Sequence, residues 1–117
     1  MTFNPISSHD DPFRLDGQVA IVTGGLGRLG TQYARALTTA GASVALFDVS
    51  SKRSDLLQSL VDAGAPVSTH LVDATDRAAV DAATAEVVKR FGTPSILVNN
   101  AGLGSSPADA ALETGRF

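Results

Sequence analysis

The stretch Ile21–Gly30 constrains the fold of this chain most, because an apolar segment runs directly into a turn with glycines at 24, 27 and 30. Gly24 would let the chain turn sharply, Gly27 would let a ligand approach the backbone, and Gly30 would let a helix lie close against the sheet. A helix that begins there presents unpaired N–H groups and its positive dipole end. The pattern predicts a pyrophosphate-binding site, although a glycine-rich turn selected for its geometry alone would have the same sequence pattern.

The composition is that of a soluble protein with one domain: 117 residues, 44% hydrophobic and 18% charged. Nine basic and twelve acidic residues give a net charge of −3 without a basic cluster, so nucleic acid is not an expected partner. The absence of cysteine excludes disulfides, thiolate metal sites and a cysteine nucleophile, and two isolated histidines do not indicate a metal site. Without an apolar run of about 18 residues or a signal peptide pattern, we expect a cytoplasmic protein with no membrane association.

The rest of the chain alternates between short β-branched segments and longer amphipathic ones. Residues 1–12 are polar and unpatterned, which predicts a flexible tail ahead of a domain at 13–117. In that domain, Leu29, Tyr33 and Leu37 form an apolar stripe on the first helix. Strands are expected at 18–23, 43–48, 67–72 and 95–99, and helices at 27–40, 54–63 and 76–91. This β-α-β-α-β-α-β order predicts a partial doubly wound parallel sheet in three layers, a Rossmann-type α/β fold.

An acidic residue ends the second predicted strand, where ligands of such sheets bind. Asp48 lies eighteen residues beyond Gly30, which suits a carboxylate that accepts hydrogen bonds from the adenosine ribose. A 2′-phosphate there would bring like charges about 4 Å apart and cost about 4 kcal/mol at an effective dielectric near 20, roughly a thousandfold in affinity. NAD is therefore favoured over NADP, although Arg28, Lys52 and Arg53 are cations that could reach a phosphate or lie on the solvated surface.

The third and fourth predicted strands also end in polar residues. Asp73, followed by Ala74, could accept a hydrogen bond from the adenine amino group or cap the helix that starts near residue 76. Two amides, Asn99 and Asn100, end the fourth strand and need hydrogen-bond partners, which we expect from residue 23 and the glycine turn. Ala101 and Gly102 would leave a surface small enough for a flat ring, unless the segment is only an asparagine-rich turn.

With these motifs in place, residues 13–104 resemble the short-chain dehydrogenase/reductase family. The resemblance implies that the turn from Gly24 to Gly30, which includes Arg28 and Leu29, binds the pyrophosphate, and that Asp48 holds the adenosine ribose. It implies that Asp73 and Ala74 flank adenine, that Asn100, Ala101 and Gly102 line the nicotinamide-side ribose, and that Thr23 and Asn99 pin the fourth strand. One departure is that Arg28 stands where the commonest family pattern has glycine, which leaves open the side chain that covers the phosphate.

The resemblance also implies chemistry that depends on a tyrosine, a lysine four residues later and a serine, all downstream of residues 99–102. The chain has one tyrosine, Tyr33, with Leu37 four positions later, so we assign no catalytic residue. We interpret the sequence as the NAD(P)-binding portion of an oxidoreductase for alcohols or ketones, inactive alone and oligomeric as a full-length protein. The alternatives are a non-catalytic dinucleotide-binding module and an assembly module; phosphoryl transfer is disfavoured because no Lys-Ser/Thr follows the glycines.

Overall fold

The computed structural model describes residues 12–100. Four strands alternate with three helices, in the predicted order. The elements are β1 (Val19–Thr23), α1 (Arg28–Thr39), β2 (Ser43–Asp48), α2 (Asp55–Asp62), β3 (Val67–Leu71), α3 (Arg77–Arg90) and β4 (Ile96–Asn99). The predicted flexible tail lies almost entirely outside the described residues, and so do Ala101 and Gly102.

The strands form one parallel sheet in the order β3-β2-β1-β4. The winding reverses between β1 and β4, because the chain adds β2 and β3 on one side of β1 and then crosses to the other side. Thr23 and Asn99 are register partners at this switch point, where ligands of doubly wound sheets bind. The predicted Rossmann-type α/β fold is confirmed, and with it a fourth strand at a sheet edge.

Alternate residues of the strands face two separate apolar layers. Val22 and Leu46 belong to the layer that α1 and α2 cover, together with Leu57 and Leu60 of α2. The opposite layer contains Ile21, Ala45 and Phe47 of the sheet, packed against Ala83 and Val87 of α3. One helical layer therefore lies on each side of the sheet, as right-handed crossovers in both directions require.

The prediction that Leu29 belongs to the apolar stripe of α1 is wrong. Leu29 is 54% exposed in the first turn, whereas Tyr33 and Leu37 pack partly buried against the core. The fully covered face of α1 consists of small residues, among them Ala34 and Thr38, because this helix lies close to the sheet. The Thr38 hydroxyl donates to the carbonyl of Ala34 at 2.7 Å, which satisfies a polar group in an apolar layer.

Capping side chains and glycines mark the ends of the helices. Ser54 begins α2, and its side chain accepts a hydrogen bond from the N–H of Leu57 at 3.1 Å. Three glycines follow the three helices with positive φ, +108° at Gly41, +85° at Gly64 and +110° at Gly92. The predicted bounds of the helices therefore differ from the observed ones only by their cap residues.

A polar chain joins β3 to α3 on the second face of the sheet. The His70 ring contacts the Ser68 hydroxyl through Nε2 at 2.8 Å and the Glu86 carboxylate through Nδ1 at 3.2 Å. The same ring packs edge-on against Phe47, with centroids 5.4 Å apart. These contacts fix α3 relative to the end of β3, and so they fix the turn between the two elements.

Candidate functional site

The glycine turn follows β1 as predicted, and glycine is required at three of its positions. Gly24 has φ of +65°, the left-handed region in which side chains are disfavoured. A Cβ at Gly30 would lie 2.4 Å from the carbonyl oxygen of Gly24, so this glycine lets α1 approach the turn itself. A Cβ at Gly25 would lie 2.6 Å from Cβ of Leu46, so Gly25 lets the turn pass over β2. We predicted no separate role for Gly25, although the adjacent pair of glycines indicated one.

Gly27 differs from Gly24, Gly25 and Gly30 because no contact within the protein requires a glycine at this position. A Cβ there would meet only the carbonyl oxygen of Gly24, at the ordinary contact distance of 3.4 Å. Gly27 is exposed and is the N-cap of α1, with no side-chain capping hydrogen bond. The N–H groups of the first helical turn, at Arg28, Leu29 and Gly30, have no acceptor within the helix. An anion can therefore approach this helix end along the backbone.

The Asp48 carboxylate lies against the glycine turn. Its Oδ2 accepts a hydrogen bond from the N–H of Leu26 at 3.0 Å, and its Oδ1 accepts one from the N–H of Ser50 at 2.9 Å. The helix that follows is capped by Ser54, so Asp48 does not cap it. Each carboxylate oxygen retains acceptor capacity for a further donor. The structure thus brings together the turn predicted to bind the pyrophosphate and the carboxylate predicted to hold the adenosine ribose.

The end of β4 is tied to β1 and the glycine turn through Asn100 and Thr23. The side-chain amide of Asn100 donates to the carbonyl of Gly24 at 3.2 Å, and its backbone N–H donates to Oγ1 of Thr23 at 3.1 Å. The Thr23 hydroxyl lies 3.2 Å from Oδ1 of Asn99 and 3.4 Å from the carbonyl oxygen of Val98. The expectation that these amides find partners at residue 23 and in the glycine turn is confirmed.

Asp73 follows β3, the strand that pairs with β2. Its Oδ1 accepts hydrogen bonds from the hydroxyl of Thr75 at 2.7 Å and from the N–H of Thr75 at 2.9 Å. These two hydrogen bonds hold the pKa of the Asp73 carboxyl below its ordinary value, and the bond from the hydroxyl has the larger effect. The alternative that Asp73 caps α3 is wrong, because the cap is Asp76, whose side chain accepts from the N–H of Ala79. Asp73 and Ala74 are both exposed.

Two open cavities flank these residues. A polar one of about 260 Å³ lies between the glycine turn, the loop after β2 and the end of β3. An apolar one of about 560 Å³ runs along β4 on the face of α3, between Thr23 and Pro94. Leu97 of β4 lines this apolar cavity and is 67% exposed. Within residues 12–100, no group of three metal-ligating side chains lies together.

Comparison with known proteins identifies the family. A family model described as short chain dehydrogenase matches residues 18–116. The chain belongs to this family. Its parallel sheet with alternating helices is the Rossmann-type fold of solved members of this family.

Two of the curated relatives of this short-chain dehydrogenase chain are named for sugar alcohols. Galactitol 2-dehydrogenase of Rhizobium johnstonii is 38% identical over 85% of the chain, and D-threitol dehydrogenase of Mycolicibacterium smegmatis is 39% identical over 82%. The chain covers only 38% and 37% of the lengths of these two relatives.

Solved structures of the family superpose on the same region. A proposed D-mannonate oxidoreductase from Haemophilus influenza, solved with bound NAD, gives a TM-score of 0.71 at 25% identity, over 80% of this chain and 34% of that one. The 2-keto-3-deoxy-D-gluconate dehydrogenase from Streptococcus agalactiae gives 0.69 at 28% identity, over 86% and 41%. In the part of the chain that the structure describes, no helix is long and apolar enough to cross a membrane.

Proposed function

We propose that this chain is the NAD-binding portion of a cytoplasmic short-chain dehydrogenase that transfers hydride between the nicotinamide and an alcohol or ketone. One observation carries the proposal: Gly27 leaves open the end of α1 beside the Asp48 carboxylate, although the protein's own packing does not require a glycine there. A group that approaches the backbone at Gly27 explains why the side chain is missing. The names of two relatives, galactitol 2-dehydrogenase and D-threitol dehydrogenase, support a polyol or its keto form as the substrate class of the longer protein.

The residues have distinct roles in binding the dinucleotide. The first-turn N–H groups of α1 donate to the pyrophosphate, with Arg28 as an exposed countercharge nearby. Asp48 accepts hydrogen bonds from the adenosine ribose, and Asp73 with Ala74 borders adenine. Asn100 positions the end of β4 for the nicotinamide-side ribose; Ala101 and Gly102 complete this contact.

The bound cofactor supplies the hydride acceptor or donor, and this chain supplies position and charge. Its first contribution is a rigid seat, because Asn100 and Gly27 both donate to the carbonyl of Gly24. The second is selection by Asp48, since its charge favours ribose hydroxyls over a 2′-phosphate. We assign proton transfer to residues of the longer protein and propose that it is oligomeric.

Calorimetric titration of NADH into the folded chain tests the proposal. We expect saturable binding by the chain and none by Gly27→Val, because the valine side chain would fill the place of the pyrophosphate. Ala85→Val serves as a control, since it places a valine at an exposed position of α3, away from the glycine turn and on ordinary helical backbone. Equal affinity of the chain and Gly27→Val, or no binding by a folded chain, would contradict the proposal and favour an assembly role.

A further inference from the structure

Three polar side chains link the buried face of β3 to the exposed face of α3. The Ser68 hydroxyl lies 2.8 Å from Nε2 of the His70 ring, and Nδ1 of the ring lies 3.2 Å from Oε2 of Glu86. Ser68 is 4% exposed, whereas the side chains of His70 and Glu86 are 11% and 72% exposed. We call these three residues the His70 clamp, and none of them has a role in the proposed dinucleotide site.

The partners of the His70 ring fix its hydrogen-bond roles when the ring is neutral. A carboxylate only accepts, so the single ring proton lies on Nδ1 and is donated to Glu86. Nε2 then accepts from the Ser68 hydroxyl, which has no other hydrogen-bond partner among residues 12–100. A second ring proton would turn Nε2 into a donor, and the buried hydroxyl proton of Ser68 would lose its acceptor.

Burial decides which of two opposing effects of the second proton is larger. The charge would strengthen the contact with Glu86, but an ion pair with an exposed carboxylate changes an equilibrium by at most about fivefold. A buried hydroxyl without an acceptor costs roughly fivefold to a hundredfold. The neutral His70 ring is consequently the form that holds β3 and α3 together.

The other groups around the His70 ring add to this preference or leave it unchanged. Arg53, in the loop after β2, lines the same polar cavity as His70, and its positive charge opposes a charged ring. Phe47 of β2, which packs edge-on against the ring, is neutral. The Asp48 carboxylate is held at the glycine turn by backbone N–H groups. Within the described part of the chain, Glu86 is thus the one carboxylate in contact with the ring.

The clamp adjoins two carboxylates of the proposed dinucleotide site. The N–H of Val72, two residues beyond His70, donates to the carbonyl oxygen of Asp48 at 2.8 Å, and Asp73 follows Val72 directly. The end of β3 therefore connects the His70 ring to the residues proposed to hold the adenosine ribose and to border adenine. A weaker hold on β3 at His70 would disturb the positions of both carboxylates.

We propose that the His70 clamp couples dinucleotide affinity to pH: the neutral ring holds the end of β3 in the binding arrangement, and the protonated ring releases it. This inference rests on the proposed function, because Asp48 and Asp73 are its cofactor contacts. Histidine changes charge between pH 5 and 8, whereas an ordinary carboxyl group titrates near pH 4. Coupling between two sites is typically at least about fivefold in affinity, so we expect a loss of about that size in acid.

His70→Gln, with His9→Gln as its matched control, tests the coupling in the full 117-residue chain. The chain has two histidines and no cysteine. Apart from the α-amino group, which both variants keep, the histidines are therefore the groups that ordinarily titrate between pH 5.5 and 8. Calorimetry gives the affinity for NAD at pH 8 and at pH 5.5, and far-UV circular dichroism verifies folding at both. The oxidised cofactor is used because NADH decomposes in acid.

The chain and His9→Gln should bind NAD about fivefold more weakly at pH 5.5 than at pH 8, while the affinity of His70→Gln should change less than about twofold. Glu86→Gln, at an exposed position, removes the contact that favours the charged ring, so its loss in acid should be larger. Equal pH dependence in the two histidine variants, or a smaller acid loss in Glu86→Gln, would overturn the proposal.

An NMR titration without cofactor separates the clamp from the dinucleotide site. The amide signals of residues 72–75 should move with the same pH midpoint as the His70 ring signals, and amides that do not follow the ring would overturn the clamp. If NAD binds at neither pH, the proposed function fails, and this titration still decides the clamp. If His70→Gln does not fold, Glu86→Gln and the titration decide in its place.

Discussion

The backbone N–H of Leu26 donates to Oδ2 of Asp48 at 3.0 Å, across 22 positions of sequence. This bond joins the turn expected to hold the pyrophosphate to the strand end expected to hold the ribose. Asp48 therefore has a structural task, fixing the turn, and an electrostatic one, favouring ribose hydroxyls over a phosphate. Variants that separate the two tasks follow from the geometry.

Replacement of Asp48 should reduce NADH affinity and narrow its difference from NADPH affinity. Asp48→Ala removes the charge and the acceptors, so we expect NADH binding to weaken roughly tenfold to a hundredfold. Asp48→Asn retains an acceptor oxygen without the charge, so it should lose less NADH affinity and gain NADPH affinity. Calorimetry with both cofactors checks this, and unchanged NADH affinity in Asp48→Ala would remove the residue from the site.

Alanine at Gly25 or at Gly30 should lower the free energy of unfolding more than alanine at Gly27. Alanine at Gly25 or Gly30 would place Cβ within 2.6 Å of Leu46 or 2.4 Å of the Gly24 carbonyl, so we expect each to lower the free energy of unfolding by about 1–3 kcal/mol. Gly27→Ala meets no such contact and should cost less than about 1 kcal/mol, the loss at an N-cap. Urea unfolding compares the three variants, and equal losses would show that the clashes do not govern stability.

Loss of the Thr23 hydroxyl should loosen the end of β4. Thr23→Val keeps the shape of the side chain but removes the hydroxyl that accepts from the N–H of Asn100 at 3.1 Å, which leaves that N–H only the carbonyl of Val98. We expect the free energy of unfolding to fall by about 1–2 kcal/mol and amide exchange at Asn100 to accelerate. The exposed Thr93→Val provides a control that should change neither quantity, and identical behaviour of the two variants would refute the role of Thr23.

The lowered pKa of Asp73 should make the stability of the turn at Asp73 and Thr75 depend on pH in the acid range. Because the bonds from Thr75 lower the pKa of the folded carboxyl, their contribution to stability is complete above the unfolded pKa and is lost as pH falls through the folded one. Carbon-detected NMR titration should show Asp73 titrating below an ordinary aspartate. Thr75→Ala should raise the pKa of Asp73, because it removes the hydroxyl whose hydrogen bond has the larger of the two effects. An unchanged pKa in this variant would contradict that cause.

The sequence predicted the fold well because β1 and β2 are apolar on both faces and a glycine follows each helix. It could not place Leu29, since apolar spacing alone does not reveal that small residues, such as Ala34, form the covered face of a helix close to the sheet. Gly25 was missed because its need arises from Leu46, a neighbour distant in sequence. The Leu26–Asp48 bond and the position of Arg53 likewise depend on loop geometry that no periodicity encodes.

Amide chemical-shift mapping of the isotope-labelled chain with NADH tests the location of the site most directly. The account predicts saturable changes at the N–H groups of Leu26–Gly30, at Ser50 and Thr75 beside the two carboxylates, and at Asn100. The exposed outer face of α3, represented by Ala78 and Ala85, should not respond. Shifts confined to the apolar cavity along β4, or no shifts in a folded chain at saturating NADH, would contradict a dinucleotide site at the glycine turn.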